Sequence, residues 1–225
     1  VSGGSNYLAS TRLSDSGTSV GTSGDSEMII SGGTNIFYFL SVGRYSPALN
    51  RAYLRIEGGT NNISPSGGDA GLSLSQNGVV EITGGTVSVN QYIRLNHATT
   101  TMGSTNILRL TGGTLALNSS GACNCADSSG AGSARLELNG GTFVSPFVRG
   151  WNGSINRGGA CFTVLSADGG KLVPNAVIYG DLNALVGLFD RAELGANGLT
   201  IEVPLTLTPV VRQVFVDKQG ANGRL

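Results

Sequence analysis

Leu54-Arg55-Ile56-Glu57-Gly58-Gly59-Thr60 sets an apolar-x-apolar-x run against two glycines and a threonine. The pattern occurs earlier as Met28-Ile29-Ile30-Ser31-Gly32-Gly33-Thr34. It returns as Val80-Glu81-Ile82-Thr83-Gly84-Gly85-Thr86, Leu108-Arg109-Leu110-Thr111-Gly112-Gly113-Thr114 and Leu136-Glu137-Leu138-Asn139-Gly140-Gly141-Thr142. A decayed copy is Leu165-Ser166-Ala167-Asp168-Gly169-Gly170-Lys171, and a truncated one is Val1-Ser2-Gly3-Gly4-Ser5. The leading glycines stand at 3, 32, 58, 84, 112, 140 and 169, spaced by 29, 26, 26, 28, 28 and 29 residues. A period of this size belongs to solenoids, in which each unit buries its apolar face by stacking on the next.

Within a unit, the residues four and two before the first glycine are apolar, as in Leu108/Leu110 and Leu136/Leu138. This period of two is that of a strand with one buried face. The glycine pair turns the chain, and a β-branched threonine restarts it. A second short strand follows, as in Val87-Ser88-Val89 or Leu115-Ala116-Leu117. A third apolar-x-apolar step comes next: Leu40-Ser41-Val42, Leu72-Ser73-Leu74, Ile93-Arg94-Leu95 and Cys123-Asn124-Cys125. Polar loops of variable length complete the unit. The expected fold is all-β: a right-handed parallel β-helix of about seven coils with 26–29 residues per coil. Residues 1–170 would form the repeat coils. Residues 171–225 would form a terminal segment with one short helix near 181–190, from Asp181-Leu182 to Phe189-Asp190, where apolar spacing becomes helical behind an aspartate N-cap. Strands are expected again at 199–203 and 211–216. Val1 falls inside a repeat, so the natural protein is expected to continue past it.

The position three before the first glycine faces outward and reads Arg55, Glu81, Arg109, Glu137 in four consecutive units. Stacked at the strand spacing, these side chains predict an exposed ladder of alternating charge with a structural role.

Of 225 residues 36 are glycine and only 12% are charged, with 14 basic residues balancing 14 acidic ones. That balance argues against nucleic acid as a partner. No run of about 18 apolar residues predicts a membrane span. Catalysis on such a scaffold requires converging carboxylates, and no adjacent pair emerges. Glu57 and Asp168 share a column four coils apart, Glu81 and Glu137 are separated by Arg109, and Asp69 and Asp127 lie in unequal loops. No catalytic residue, cofactor or metal is expected. Cys123 and Cys125 occupy an apolar slot and read as small core residues, with a disulfide from either to Cys161 as the alternative. His97 reads as a loop residue. Arg44, Tyr45, Arg94, Arg149 and Trp151 fall near the same region of successive coils and form the one ligand stripe the sequence suggests, a contact for an acidic glycan. The GGT threonines form a single column, short of the two that an ice-binding array requires.

The L-x-L-x-G-G-T-L-x-V form of the repeats, together with Gly198-Leu199-Thr200-Ile201 after an apolar segment, resembles the autotransporter-associated β-strand repeat proteins. The resemblance spans about residues 28–225. It implies a β-helical passenger, secreted or displayed on a bacterial surface, and it supplies no catalytic residues. The function expected is therefore a non-enzymatic extracellular scaffold or adhesin-type segment that meets a glycan or host-surface partner. A polysaccharide-binding or polysaccharide-processing β-helix and a filament module that self-associates end to end are the alternatives.

Overall fold

A computed structural model describes residues 2–8, 11–13, 25–43, 51–63, 71–96, 103–118, 122–124, 132–146, 161–175, 191–202 and 217–218. The chain winds through three sheets whose strands all pair in parallel with their equivalents one turn away. The first sheet, entered from the glycine corner, contains β1 (Ser5–Leu8), β4 (Thr34–Phe37), β7 (Thr60–Ile63), β10 (Thr86–Val89), β13 (Thr114–Leu117), β16 (Thr142–Ser145), β18 (Gly170–Pro174) and β20 (Leu199–Ile201). The second contains β2 (Thr11–Leu13), β5 (Leu40–Val42), β8 (Gly71–Leu74), β11 (Tyr92–Arg94) and β14 (Ala122–Asn124). The third contains β3 (Ser26–Ile30), β6 (Ala52–Ile56), β9 (Gly78–Ile82), β12 (Thr105–Leu110), β15 (Gly132–Leu138), β17 (Cys161–Ala167), β19 (Arg191–Leu194) and β21 (Asp217–Lys218). This is an all-β parallel solenoid.

The count of coils needs correction. Among the described residues four turns, β3 to β14, carry all three strands. The turns on either side are described in only one or two of the sheets, so seven full coils are not seen. The expected helix near 181–190 and the strand at 211–216 lie outside the described residues. The described elements are all strands.

The inward pairs stack as the repeat predicts. Leu54, Val80, Leu108, Leu136 and Leu165 share one column of the third sheet, and Ile56, Ile82, Leu110 and Leu138 share the next. These residues are buried, in one core with Val87, Leu115 and Phe143 of the first sheet and Leu72 and Ile93 of the second. Each such side chain contributes about 1.5–3 kcal/mol by leaving water. The core is continuous because every turn supplies the same layer.

The glycine pair is the corner between the third and first sheets. Gly85 has φ +71°, and a Cβ on Gly84 would stand 2.3 Å from the Glu57 carbonyl oxygen of the turn before. Gly84 is thus required for approach, and Gly85 for approach and backbone conformation together. The threonine that follows donates its amide to the previous corner, Thr86 to the Gly59 oxygen at 2.9 Å and Thr114 to the Gly85 oxygen at 2.9 Å. The GGT threonines begin the strands of the first sheet, on a different sheet from the charge ladder.

Beyond Lys171 the sequence pattern fades but the sheets continue. Arg191–Leu194 pairs with Val164–Ala167, and Leu199–Ile201 pairs with Gly170–Leu172. The corner between them is longer, Gly195 to Gly198. It is closed by the Gly198 amide on the Gly195 oxygen at 3.2 Å and the Asn197 amide on Asp168 Oδ1 at 2.8 Å. That insertion hid the Arg191-Ala192-Glu193-Leu194 strand from a search for Gly-Gly.

Candidate functional site

The third sheet carries the charge ladder on its outer face, in the register the sequence predicts: Arg55 beside Glu81, Glu81 beside Arg109, Arg109 beside Glu137. Arg55 Nε lies 3.9 Å from Glu81, Arg109 Nη1 lies 3.7 Å from Glu81, and Arg109 Nε donates to Glu137 at 2.6 Å. The hydrogen bond to Glu137 leads the effects that raise the Arg109 pKa above its ordinary value. The ladder is less exposed than expected. The side chains of Glu81 and Glu137 keep only 16% and 11% of their accessible surface, against 41% for Arg55. Guanidiniums on both sides, and on Glu81 the Tyr53 hydroxyl as well, crowd the carboxylates.

The ladder also extends further than the single column suggested. Arg135, two residues before Glu137 on the same face, donates to it at 3.0 Å. Its other arm reaches Glu193 at 3.2 Å, past the turn whose column position is the small Ser166. Arg191 pairs with Glu193 at 3.1 Å. The signal for Arg135 was present in Arg135-Leu136-Glu137, two opposite charges at strand period. The reach to Glu193 had no signal, because the β19 strand was itself missed. Each central carboxylate is thus held by two guanidiniums. Such an arrangement ties neighbouring turns together through their side chains.

Tyr53 joins the ladder from the adjacent outward column and donates its hydroxyl to Glu81 Oε2. Burial first, then the Glu81 hydrogen bond and charge, push its pKa up to about 12. An unfolded tyrosine ionises near pH 10, so the unfolded state loses this proton first. The stabilisation is complete below pH 10 and is lost as pH rises towards 12. Urea midpoints measured from pH 9 to 12 should therefore fall more steeply for the natural chain than for Tyr53→Phe. Parallel curves would remove Tyr53 from the ladder.

A second, interior ladder was not anticipated. Asn6, Asn35 and Asn61 occupy the inward column that later turns fill with Val87, Leu115 and Phe143. Asn6 Nδ2 donates to Asn35 Oδ1 and Asn35 Nδ2 to Asn61 Oδ1, both at 2.8 Å. Asn35 and Asn61 also donate to the leading glycine of their own corner, Gly32 and Gly58, each at 3.1 Å. Both are fully buried, and the stack satisfies their amides where water cannot. Ser5-Asn6, Thr34-Asn35 and Thr60-Asn61 are the sequence trace of it.

The expected glycan stripe is only partly testable. Arg44, Tyr45, Arg149 and Trp151 lie outside the described residues, as do His97 and Cys125. Arg94 is half-buried on β11, with its guanidinium carbon 5.1 Å from the centre of the Tyr92 ring two residues earlier on the same face. That cation–π contact contributes about 0.5–1 kcal/mol. Cys123 is a free, buried thiol among core residues, and burial pushes its pKa up to about 12. It therefore takes no part in the disulfide with Cys161 that the sequence left open. Among the described residues no three His, Cys, Asp or Glu side chains cluster to hold a metal. No described helix is long and apolar enough to cross a membrane.

A groove of about 570 Å³ lies on the outer face of the first sheet. Its floor is the outward column Ile36, Asn62, Ser88 and Ala116, and its wall is Asn90, Asn118 and Asn175. The place of Asn175 in the wall follows from one proline. The residue after each strand donates its amide to the turn before, Asn90 to the Ile63 oxygen at 3.0 Å and Asn118 to the Val89 oxygen at 2.9 Å. Pro146 has no N–H to offer Leu117. Asn175 Nδ2 takes that place, donating to the Leu117 oxygen at 2.6 Å.

No protein-family model, curated protein or solved structure matches this chain.

Proposed function

We propose that the chain is a non-enzymatic structural segment of a secreted or cell-surface protein: a right-handed β-solenoid rod of the autotransporter-passenger or adhesin type that spaces and presents its loops. The observation that supports this reading most is the three parallel sheets running from turn to turn, with the Arg/Glu column sealing the outside of one of them. A rod of this kind derives its stability from neighbouring turns. Its length is therefore modular, and its charges serve cohesion. The resemblance of the GGT repeats to passenger repeats supports the surface location.

A deletion series tests the scaffold reading. Removing residues 58–111 excises two turns and brings Arg55 beside Glu137, preserving the alternation. That chain should fold, keep a urea midpoint near the natural one and remain labelled by antibody on intact producing cells. Removing only residues 84–111 brings Glu81 beside Glu137 and should fold less stably, since like charges in direct register repel. Collapse of the two-turn deletion, or labelling only after permeabilisation, would overturn the reading.

A further inference from the structure

The geometry points to the groove on the first sheet as a binding site for a neutral, linear polysaccharide. The groove lies on the first sheet, whereas Arg94 stands on β11 of the second, and the assignment does not depend on the scaffold reading.

Direction is the first argument. The floor residues Asn62, Ser88 and Ala116 are register partners on three successive strands. The groove therefore runs across the strands, parallel to the stacking of the turns, and offers equivalent positions at the strand spacing of about 4.8 Å. A polymer with a regular repeat fits such a trench better than a compact small molecule. A peptide is disfavoured because the floor lies inside a sheet. β7, β10 and β13 each have hydrogen-bonded partners on both sides, so no free strand edge is available for a peptide backbone to join.

Chemistry is the second argument. The polar groups that line the groove are side-chain amides and a serine hydroxyl, groups that both donate and accept. No charged side chain lines it among the described residues. An anionic polymer would find no cation there and a basic peptide no carboxylate, while sugar hydroxyls match the amides in both senses. The ladder charges, Arg55 through Glu193, lie on a different sheet and are paired with one another. The Asn175 amide is half used: Nδ2 is engaged with Leu117, and Oδ1 has no hydrogen-bond donor.

Native gels cast with hydroxyethyl cellulose, with a galactomannan and with polygalacturonate test the assignment. The natural chain should be retarded in at least one of the two neutral gels and not in the anionic one. Ser88→Arg and Ala116→Arg project from the floor into the groove, away from the core, and each should weaken retardation at least tenfold. Phe162→Arg, on the outer face of the third sheet, should leave it unchanged. Asn118→Ala shortens the exposed wall and should weaken it several-fold, which keeps the test valid if an arginine variant misfolds. The proposal is overturned by no retardation in both neutral gels, by stronger retardation in polygalacturonate, or by floor and wall variants that run like the natural chain. Binding of an extended peptide that survives the floor variants would also overturn it.

Discussion

Gly85→Ala is expected to be among the most damaging single substitutions in the chain, costing roughly 3 kcal/mol or more, enough to unfold a marginal domain. Two separate penalties combine. The residue sits at φ +71°, where a side chain costs about 1–2 kcal/mol. Its Cβ would also stand 2.5 Å from the Gly58 carbonyl carbon and 2.6 Å from the Gly59 oxygen. Those are backbone atoms of the turn beneath, and moving them would break the stacking that defines the fold. Two comparison variants separate the penalties. Gly103→Ala shares the left-handed backbone, φ +86°, but meets nothing within 4 Å, so it should cost only about 1–2 kcal/mol. Gly84→Ala has an ordinary φ but a 2.3 Å contact with the Glu57 oxygen, so it should isolate the cost of approach. Chemical unfolding of the three variants should rank Gly103→Ala mildest and Gly85→Ala worst. A Gly84→Ala chain as stable as the natural one, with Gly85→Ala losing no more than Gly103→Ala, would mean that close stacking at the corner does not matter.

Glu137→Lys is expected to cost roughly 2–4 kcal/mol, the range for breaking a largely buried ion pair, reduced for arginines that remain about a third exposed. The carboxylate receives Arg109 at 2.6 Å and Arg135 at 3.0 Å and keeps only 11% of its side-chain surface, so the reversal gathers three positive charges where little water reaches the central one. Arg55→Ala, at the more exposed end of the same ladder, should cost less than about 1 kcal/mol. Raising the salt concentration should narrow the deficit of Glu137→Lys only in part, because screening reaches exposed charges far better than covered ones. A loss for Glu137→Lys no larger than that of Arg55→Ala would show that the ladder is ordinary surface charge.

Much of the fold was legible because a solenoid repeats one decision. Leu108 and Leu110 could be placed inside and Arg109 outside from period alone, and the recurring Gly-Gly pair marked where every turn bends. The charge ladder was legible for the same reason: a residue at a constant offset from the glycines must stack on its equivalent. The same logic failed where the offset changed. Gly195 to Gly198 lengthens one corner, so Arg191–Leu194 went unseen although its inward residues continue the core columns. Asn35 and Asn61 were passed over because a polar residue after threonine reads as surface, whereas these two satisfy their amides inside on glycine carbonyls and on each other.

The sequence by itself determined the solenoid, the inward and outward faces of its strands, the glycine corner and the alternating column Arg55, Glu81, Arg109, Glu137. All of these are nearest-neighbour relations between equivalent positions, and a period specifies them. Only the tertiary structure decided that Glu81 and Glu137 are largely buried, that Arg135 reaches Glu193 past Ser166, and that Asn175 replaces the donor Pro146 lacks and so joins the wall of a neutral groove. Those relations depend on how side chains fold over their neighbours, or they join residues two turns apart. Their geometry depends on how far a side chain extends and on what its neighbour leaves empty, and neither is written in the spacing of the repeat.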